Sequence, residues 1–502
     1  MCGIFYLFNI KKDYKQSFNS IQHRGPDNST IKENGNHVLG FHRLAINDLS
    51  EAGNQPFFYK DYALLCNGEI YNYKELAQKY NIELNNTCDC SIILPLFHKI
   101  GIKSLCQELD GVFAFVICNL KSNDIWAARD PMGVRPLFLG FNEDSMGYCS
   151  EAKGLINLFN NIKPIKGGTY LYNFESETYF DYYDLSYLNE TKNLALRLEN
   201  AVKKRMMSDR SIGCLLSGGL DSSAVAYFLS KNTNHQIRTY SIGFKGSPDL
   251  EKARIMANFL NSEHHEVIMD EDEVLKEIPK IIWVLETYDI TTIRASAGMY
   301  FLAKYIKEKG LDTVIFSGEG ADELLMGYRY FHLSENSRIS RLESLRLLEN
   351  LYKYDNLRAD RTTAYWGLEL RVPFLDKDLV KHVFSLPDTT IIPYNQIEKY
   401  SLRIELDGKI PDEINWRVKE AFSDGVSDVK RSWHKIIGDF VNSLITDREF
   451  EIKKLKYDVK TKEALLYREI FENYNFDSEM IGEYWMPKWS NATDPSAREL
   501  IL

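Results

Sequence analysis

No stretch of the 502 residues approaches the roughly 20 consecutive apolar positions a membrane helix requires, so a helical membrane protein is not expected. Basic residues are in deficit, with 61 Lys and Arg against 71 Asp and Glu, and the net charge of -10 argues against a nucleic-acid or anionic-membrane partner. Proline is sparse at 14 residues, and no internal repeat or low-complexity tract interrupts the chain. The eight cysteines (Cys2, Cys66, Cys88, Cys90, Cys106, Cys118, Cys149 and Cys214) are even in number, but a disulfide framework belongs to small secreted chains and this one is large, and none makes a zinc-spaced set. The opening residues lack a basic leader and a cleavage site, so a cytoplasmic protein with free thiols is expected. Also missing is Gly-Lys-Ser/Thr, which a loop splitting ATP between its outer phosphates would carry.

A different phosphate loop is present. The apolar run 212–216 suits a buried strand, residues 224–229 suit a helix packed on it, and between them stands Ser217-Gly218-Gly219-Leu220-Asp221-Ser222-Ser223. Two glycines let the backbone turn tightly, and the unpaired amides at a helix N-terminus favour an anion. Three serine hydroxyls can add hydrogen bonds to phosphate oxygens. Asp221 would repel a phosphate unless a cation lay between them, which marks it as a magnesium ligand.

A second centre starts at Cys2. Removal of Met1 would leave Cys2 with a thiol and a free α-amine, and an amine titrating near ~8 can serve as base to its own thiol. On Met-Cys alone, a small buried hydrophobe is the ordinary reading. Downstream come His23-Arg24-Gly25-Pro26-Asp27, His42-Arg43-Leu44-Ala45-Ile46, Asn67-Gly68-Glu69-Ile70-Tyr71-Asn72, Asp89 and Ala128-Arg129-Asp130-Pro131. In that order they resemble the N-terminal-nucleophile glutamine amidotransferase domain. The resemblance implies that the Cys2 thiolate attacks the glutamine amide and that Asn67 and Gly68 stabilise the oxyanion. It also implies that Arg43 clamps the α-carboxylate, that Glu69 and Asp89 meet the α-ammonium, and that Leu44, Ala45, Ile46 and Asn47 line the substrate. Ser91 departs from the family, which often has an acid there. His23 is assigned no role.

From Leu194 the pattern becomes alternating strands and helices, with candidate strands at 212–216, 237–244, 265–269 and 313–316. Such alternation argues a doubly wound parallel sheet with ligands at the strands' C-terminal edge. One edge ends in Ser241-Ile242-Gly243 and another in Ser317-Gly318-Glu319-Gly320-Ala321-Asp322-Glu323. The loop 217–223 resembles the ATP-pyrophosphatase signature, which cuts ATP to AMP and pyrophosphate. With residues 286–296, 371–376, 419–425 and 484–489, the chain resembles the glutamine-hydrolysing asparagine synthetases over essentially its full length.

That resemblance implies an α+β Ntn-hydrolase-type β-sandwich glutaminase domain at 2–183, a linker at 184–193, and an α/β ATP-pyrophosphatase domain at 194–502. The implied substrates are L-aspartate, L-glutamine and ATP, with magnesium, and a homodimer is the assembly it allows. ATP would contact Leu215, Ser217, Gly218, Gly219, Leu220, Asp221, Ser222, Ser223, Ile242, Ser317 and Gly318. Asp221 and Asp322 would hold magnesium, Lys419 would offset charge on the phosphorus, and Glu319 would act in forming or resolving β-aspartyl-AMP. Arg294 would clamp the aspartate α-carboxylate, with Thr291 or Thr292 assisting. Ala321 replaces the family's usual serine. An ATP-dependent relative such as a β-lactam synthetase shares the fold but commonly lacks the intact Cys2 and glutamine set, and a non-enzymatic scaffold would have eroded one site or the other.

Overall fold

The computed structural model describes residues 1–183, 193–418, 426–427, 431–477 and 484–489. Two compact units share the chain. The first holds Met1–Asp181 with Lys204–Ser211 and Thr363–Leu370, and the second holds Tyr182–Lys203, Ile212–Thr362 and Arg371–Leu502. A single break at 184–193 therefore simplifies the division. Lys204 Nζ bonds Asp110 Oδ2 at 2.7 Å and the Asp48 amide donates to Asp209 Oδ2 at 2.8 Å, long-range ties that local pattern does not reveal. Linker residues 184–192 lie outside the described set. Among the described residues no helix is long and apolar enough to cross a membrane.

The first unit is built on two six-stranded antiparallel sheets. One runs in the order Asn161–Pro164, Phe138–Phe141, Met146–Cys149, Gly3–Phe8, His37–Arg43, Asn28–Asn34. The other runs Glu175–Thr178, Thr169–Tyr172, Ile125–Arg129, Gly111–Asn119, Tyr62–Ile70, Phe57–Tyr59. Side chains alternate across a strand, so each central strand serves two cores. Ala63, Leu65, Ala114 and Val116 pack on Ile4, Tyr6, Leu39 and Phe41 of the other sheet. Leu64, Cys66, Phe113 and Phe115 face the opposite way, against Ile93, Leu94 and Phe97 of the helix Ile93–Glu108. Burial on both faces explains why Tyr62–Ile70 and Gly111–Asn119 read as nearly continuous apolar runs rather than alternating ones.

The second unit carries a sheet in the order Glu263–Ile268, Arg238–Gly243, Ile212–Leu215, Val314–Phe316, Glu369–Arg371. The first four are parallel. From Ile212–Leu215 the chain builds outward through Arg238–Gly243 to Glu263–Ile268, then returns to place Val314–Phe316 on the other side. The strand order thus reverses between Ile212–Leu215 and Val314–Phe316, and ligands of doubly wound sheets bind at such a switch point. The loops leaving these two strands begin at Leu216 and Ser317.

Candidate active sites

In the first unit, strand pairing Gly3↔His42 brings Cys2 beside the end of His37–Arg43. The Cys2 amide donates to Asn67 Oδ1 at 2.9 Å, tying it to strand Tyr62–Ile70 of the other sheet. The Cys2 thiol faces the Leu44 backbone, with Sγ 3.4 Å from the Leu44 nitrogen and 3.5 Å from its oxygen. A donor already engages the Asn67 oxygen, so its NH2 points elsewhere. Asn67 Nδ2 is buried and has no hydrogen-bond partner among the described residues. Buried polar groups nearly always pair, so an orphan donor beside a thiol suits an anion that forms only during reaction.

Burial pushes the Cys2 thiol up to about 11 and the Met1 amine down to about 6. A thiol so raised is protonated at neutral pH and needs a base to become a nucleophile. Arg24 Nε donates to the Cys2 carbonyl at 3.0 Å, and its Nη1 bonds Glu151 Oε1 at 2.7 Å. Glu151 also meets Lys153 Nζ at 2.6 Å and His23 Nε2 at 3.1 Å. Sequence reading left His23 without a role and passed over Arg24, although both stand in the quoted His23-Arg24-Gly25-Pro26-Asp27 segment.

Cys2, Arg43, Leu44, Ile46, Asn47, Asn67, Gly68, Glu69 and Asp89 line one cavity of about 30 Å³. Ala45 does not line it, and its amide is bound to Asp27 Oδ2 at 2.9 Å. Asn47 Nδ2 bridges the two acids, contacting Glu69 Oε2 and lying 3.4 Å from Asp89 Oδ1. Asp89 accepts from the Ile70 amide at 2.5 Å, yet burial pushes its carboxyl up to about 6. The Arg43 guanidinium is turned onto its own loop, bonding Ser50 O at 2.6 Å, Asn54 Oδ1 at 2.9 Å and the Asp48 carbonyl. Glutamine would have to draw it away from them.

In the second unit, a cavity of about 240 Å³ lies at the switch point. Leu215, Ser217, Gly219, Leu220, Asp221, Ser222, Ile242, Ser317, Gly318, Glu319 and Asp322 line it, as do Thr291 and Thr292. Gly218 and Ser223 do not, and Ser223 is fully buried. Gly218 instead makes the turn. Its φ is 70°, and a Cβ there would fall 2.4 Å from the Ala253 nitrogen, so a side chain is excluded twice over. Ser222 Oγ holds the loop closed, accepting from the Ser217 amide at 3.2 Å. Helix Leu220–Lys231 then starts at Gly219 with no side-chain cap, so its first amides remain for an anion.

Around the loop stand charges that sequence reading did not pick out. Lys399 Nζ lies 2.5 Å from Asp221 Oδ2 and 2.5 Å from Asp322 Oδ1. The expected metal ligands, from two different strand-end loops, therefore converge on one point that already carries a cation. Two converging carboxylates, together with substrate phosphates, are a donor set that suits magnesium. Arg358 Nη2 binds Glu319 Oε2 at 2.6 Å and Asp355 Oδ1 at 2.7 Å. Burial pushes Glu319 and Glu323 up, and Glu323 also accepts from the Tyr328 hydroxyl. Nothing local marks Lys399 in Glu398-Lys399-Tyr400, because no glycine turn or strand pattern adjoins it.

The expected aspartate-binding residues separate. Thr291 lines the cavity and its hydroxyl is buried without a partner among the described residues. The Thr292 hydroxyl is spent on Asp289 Oδ2 at 2.8 Å. Arg294 does not line the cavity; its guanidinium is paired with Glu463 at 2.6 Å and bonded to His434 at 2.8 Å. Helical spacing alone would send residues 291 and 294 the same way, so what takes the Arg294 guanidinium out of the cavity is its ion pair with Glu463. Lys419 lies outside the described residues.

The asparagine synthase family model matches residues 193–351 and 337–480, and the glutamine amidotransferase domain model matches residues 1–200. The chain is 44% identical to the asparagine synthetase (glutamine-hydrolyzing) of Gallus gallus, across 100% of this chain and 98% of that one. The proteins of the same name from Mus musculus and Homo sapiens match at 44%, with the same shares covered. With both sites built and both halves matched along the whole length, the chain belongs to the glutamine-hydrolysing asparagine synthetases.

Proposed function

We propose that residues 2–183 release ammonia from L-glutamine at Cys2, and that residues 194–502 use it to amidate L-aspartate. The reaction consumes ATP and water and yields L-asparagine, L-glutamate, AMP and pyrophosphate through β-aspartyl-AMP. The observation that carries this reading is the Cys2–Asn67 bond at 2.9 Å, with Asn67 Nδ2 left over and buried. ATP-dependent relatives that do not use glutamine have no need of that pairing.

In the first half, the α-amine exposed by loss of Met1 would accept the thiol proton. Burial lowers the Met1 amine, and the same desolvation would favour the neutral form of an amine at Cys2. Asn67 Oδ1 would orient that amine, while Asn67 Nδ2 and the Gly68 amide would receive the oxyanion. Arg43, released from its loop carbonyls, would hold the substrate carboxylate, with Glu69 and Asp89 on the ammonium.

In the second half, the loop 217–222 and the open helix end would seat the phosphates, with Leu215, Ile242, Ser317 and Gly318 around the nucleotide. Asp221 and Asp322 would hold magnesium, which when bound neutralises phosphate charge. Thr291 would contact the aspartate, and Glu319, fixed by Arg358, would act on the acyl-adenylate. Lys419 would add positive charge at the phosphorus. A cytoplasmic location and a homodimer complete the reading, with neither nucleic acid nor membrane as partner.

The test is an endpoint assay with aspartate, ATP, magnesium and either glutamine or ammonia, scoring asparagine, AMP and pyrophosphate. Wild type should use both nitrogen sources, and Cys2→Ala should use ammonia alone. ADP in place of AMP, or no asparagine from either source, would refute the assignment.

A further inference from the structure

The candidate magnesium ligands are already joined by a cation of the protein's own. Lys399 Nζ is 2.5 Å from a carboxylate oxygen of each, and its side chain is only 2% exposed. Its stem runs in a fitted track. A Cβ on Gly327 would fall 2.1 Å from Lys399 Cε and 2.1 Å from Asp322 Oδ1. The backbone on either side is anchored: Glu398 pairs with His332 at 2.8 Å, and the Glu398 carbonyl accepts from Arg403 Nε at 2.8 Å. Lys399 then heads the helix Tyr400–Leu406, with a left-handed φ of 55°. The main chain is fixed, so the part left to move is the ammonium on its four-carbon stem.

We propose that Lys399 is an internal counter-ion that occupies the magnesium position of the nucleotide-free enzyme and makes metal binding conditional on nucleotide. The proposal rests on Asp221 and Asp322 being the metal ligands. A divalent ion arriving alone must break both of the ammonium's close ion pairs with Asp221 and Asp322, and breaking a buried pair is strongly unfavourable. An ion arriving with a triphosphate brings new anions for the displaced ammonium. Lys399 is thus a positioning residue. It holds the two carboxylates together, where otherwise their like charges would drive them apart.

The probe is Mn2+, with the free aquo ion followed by electron paramagnetic resonance in the absence of nucleotide. Lys399→Met should bind Mn2+ at least about tenfold more tightly than wild type, a size typical of coupling between neighbouring ligands. Equal binding to both proteins overturns the proposal. Adding the α,β-methylene analogue of ATP to wild type should tighten Mn2+ by about tenfold beyond what the analogue alone binds in buffer. Equal Mn2+ binding with and without the analogue overturns the proposal even where Lys399→Met does not fold. Nucleotide-dependent Mn2+ binding that persists unchanged in Asp322→Asn also overturns it, and shows that the metal assignment is what failed.

Discussion

A thiol that burial holds near 11 does not become a nucleophile unaided. Around Cys2 the aid is specific, and so are its tests. Asn67→Ala removes a buried side-chain amide left over for an oxyanion, and the loss of such a donor costs about 100- to 1,000-fold in turnover. Glutamate release should fall by that factor while ammonia-dependent asparagine formation persists. Asp89 supplies a pH signature. Burial raises its carboxyl to about 6, whereas in the unfolded chain it titrates near its ordinary 3.8. Between those values the folded state holds a proton that the unfolded chain has lost, so this group's contribution turns against folding as pH rises through the window and stays so above it. Binding of a substrate ammonium needs the anion. The kcat/KM for glutamine hydrolysis should therefore fall below about pH 6 by at least about tenfold per unit, and Asp89→Asn should be low with a shallower acid limb. A wild-type profile flat between pH 5 and 7 would show that Asp89 is not the group involved.

At the scale of the element, helix Ile290–Glu308 shows how one residue sets both stability and site. Asp289 caps it, accepting from the Thr292 amide and hydroxyl at 2.8 Å each through one oxygen and from the Trp485 amide at 2.8 Å through the other. The cap fixes the helix rotation, which turns Thr291 into the cavity. Asp289→Ala removes a cap worth about 1 kcal/mol and leaves a buried donor unpaired at a further 1–3 kcal/mol or so. Denaturant unfolding should register a loss of about 2–4 kcal/mol, and the KM for aspartate should rise. A stable variant with unchanged KM would separate the helix start from substrate binding.

For the whole molecule, two compact units with two separate cavities predict separable chemistries. Glu319→Gln loses the charge that Arg358 holds at 2.6 Å. It should abolish asparagine formation from either nitrogen source, while glutamate release at Cys2 continues. That outcome mirrors Cys2→Ala, and together the variants assign each half-reaction to its own unit. Loss of both activities in either variant would mean that the halves do not fold or act separately.

Most of the first site was legible, because its parts are strand ends and turns. Cys2 immediately precedes a strand, Arg43 ends another and Asn67 lies within a third, and antiparallel pairing brings them together. The loop 217–223 was legible for the same reason, since a strand, two glycines and a helix start are local events. Three things were not. Arg294 shares a helix with Thr291, but which face meets the cavity depends on partners such as Glu463, far along the chain. Lys204–Ser211 and Thr363–Leu370 join the first unit through contacts that no neighbouring residue announces. Lys399 acquires its place only when two strand-end loops and a distant helix start come together. The sequence by itself determined the elements, the tight turn of loop 217–223 and the place of Cys2 before a strand, because those follow from short-range sterics and hydrogen bonding. Which charges stand beside which was decided by tertiary structure, because an ion pair such as Lys399 with Asp221 and Asp322 joins residues distant in sequence, and nothing around each one specifies its partner.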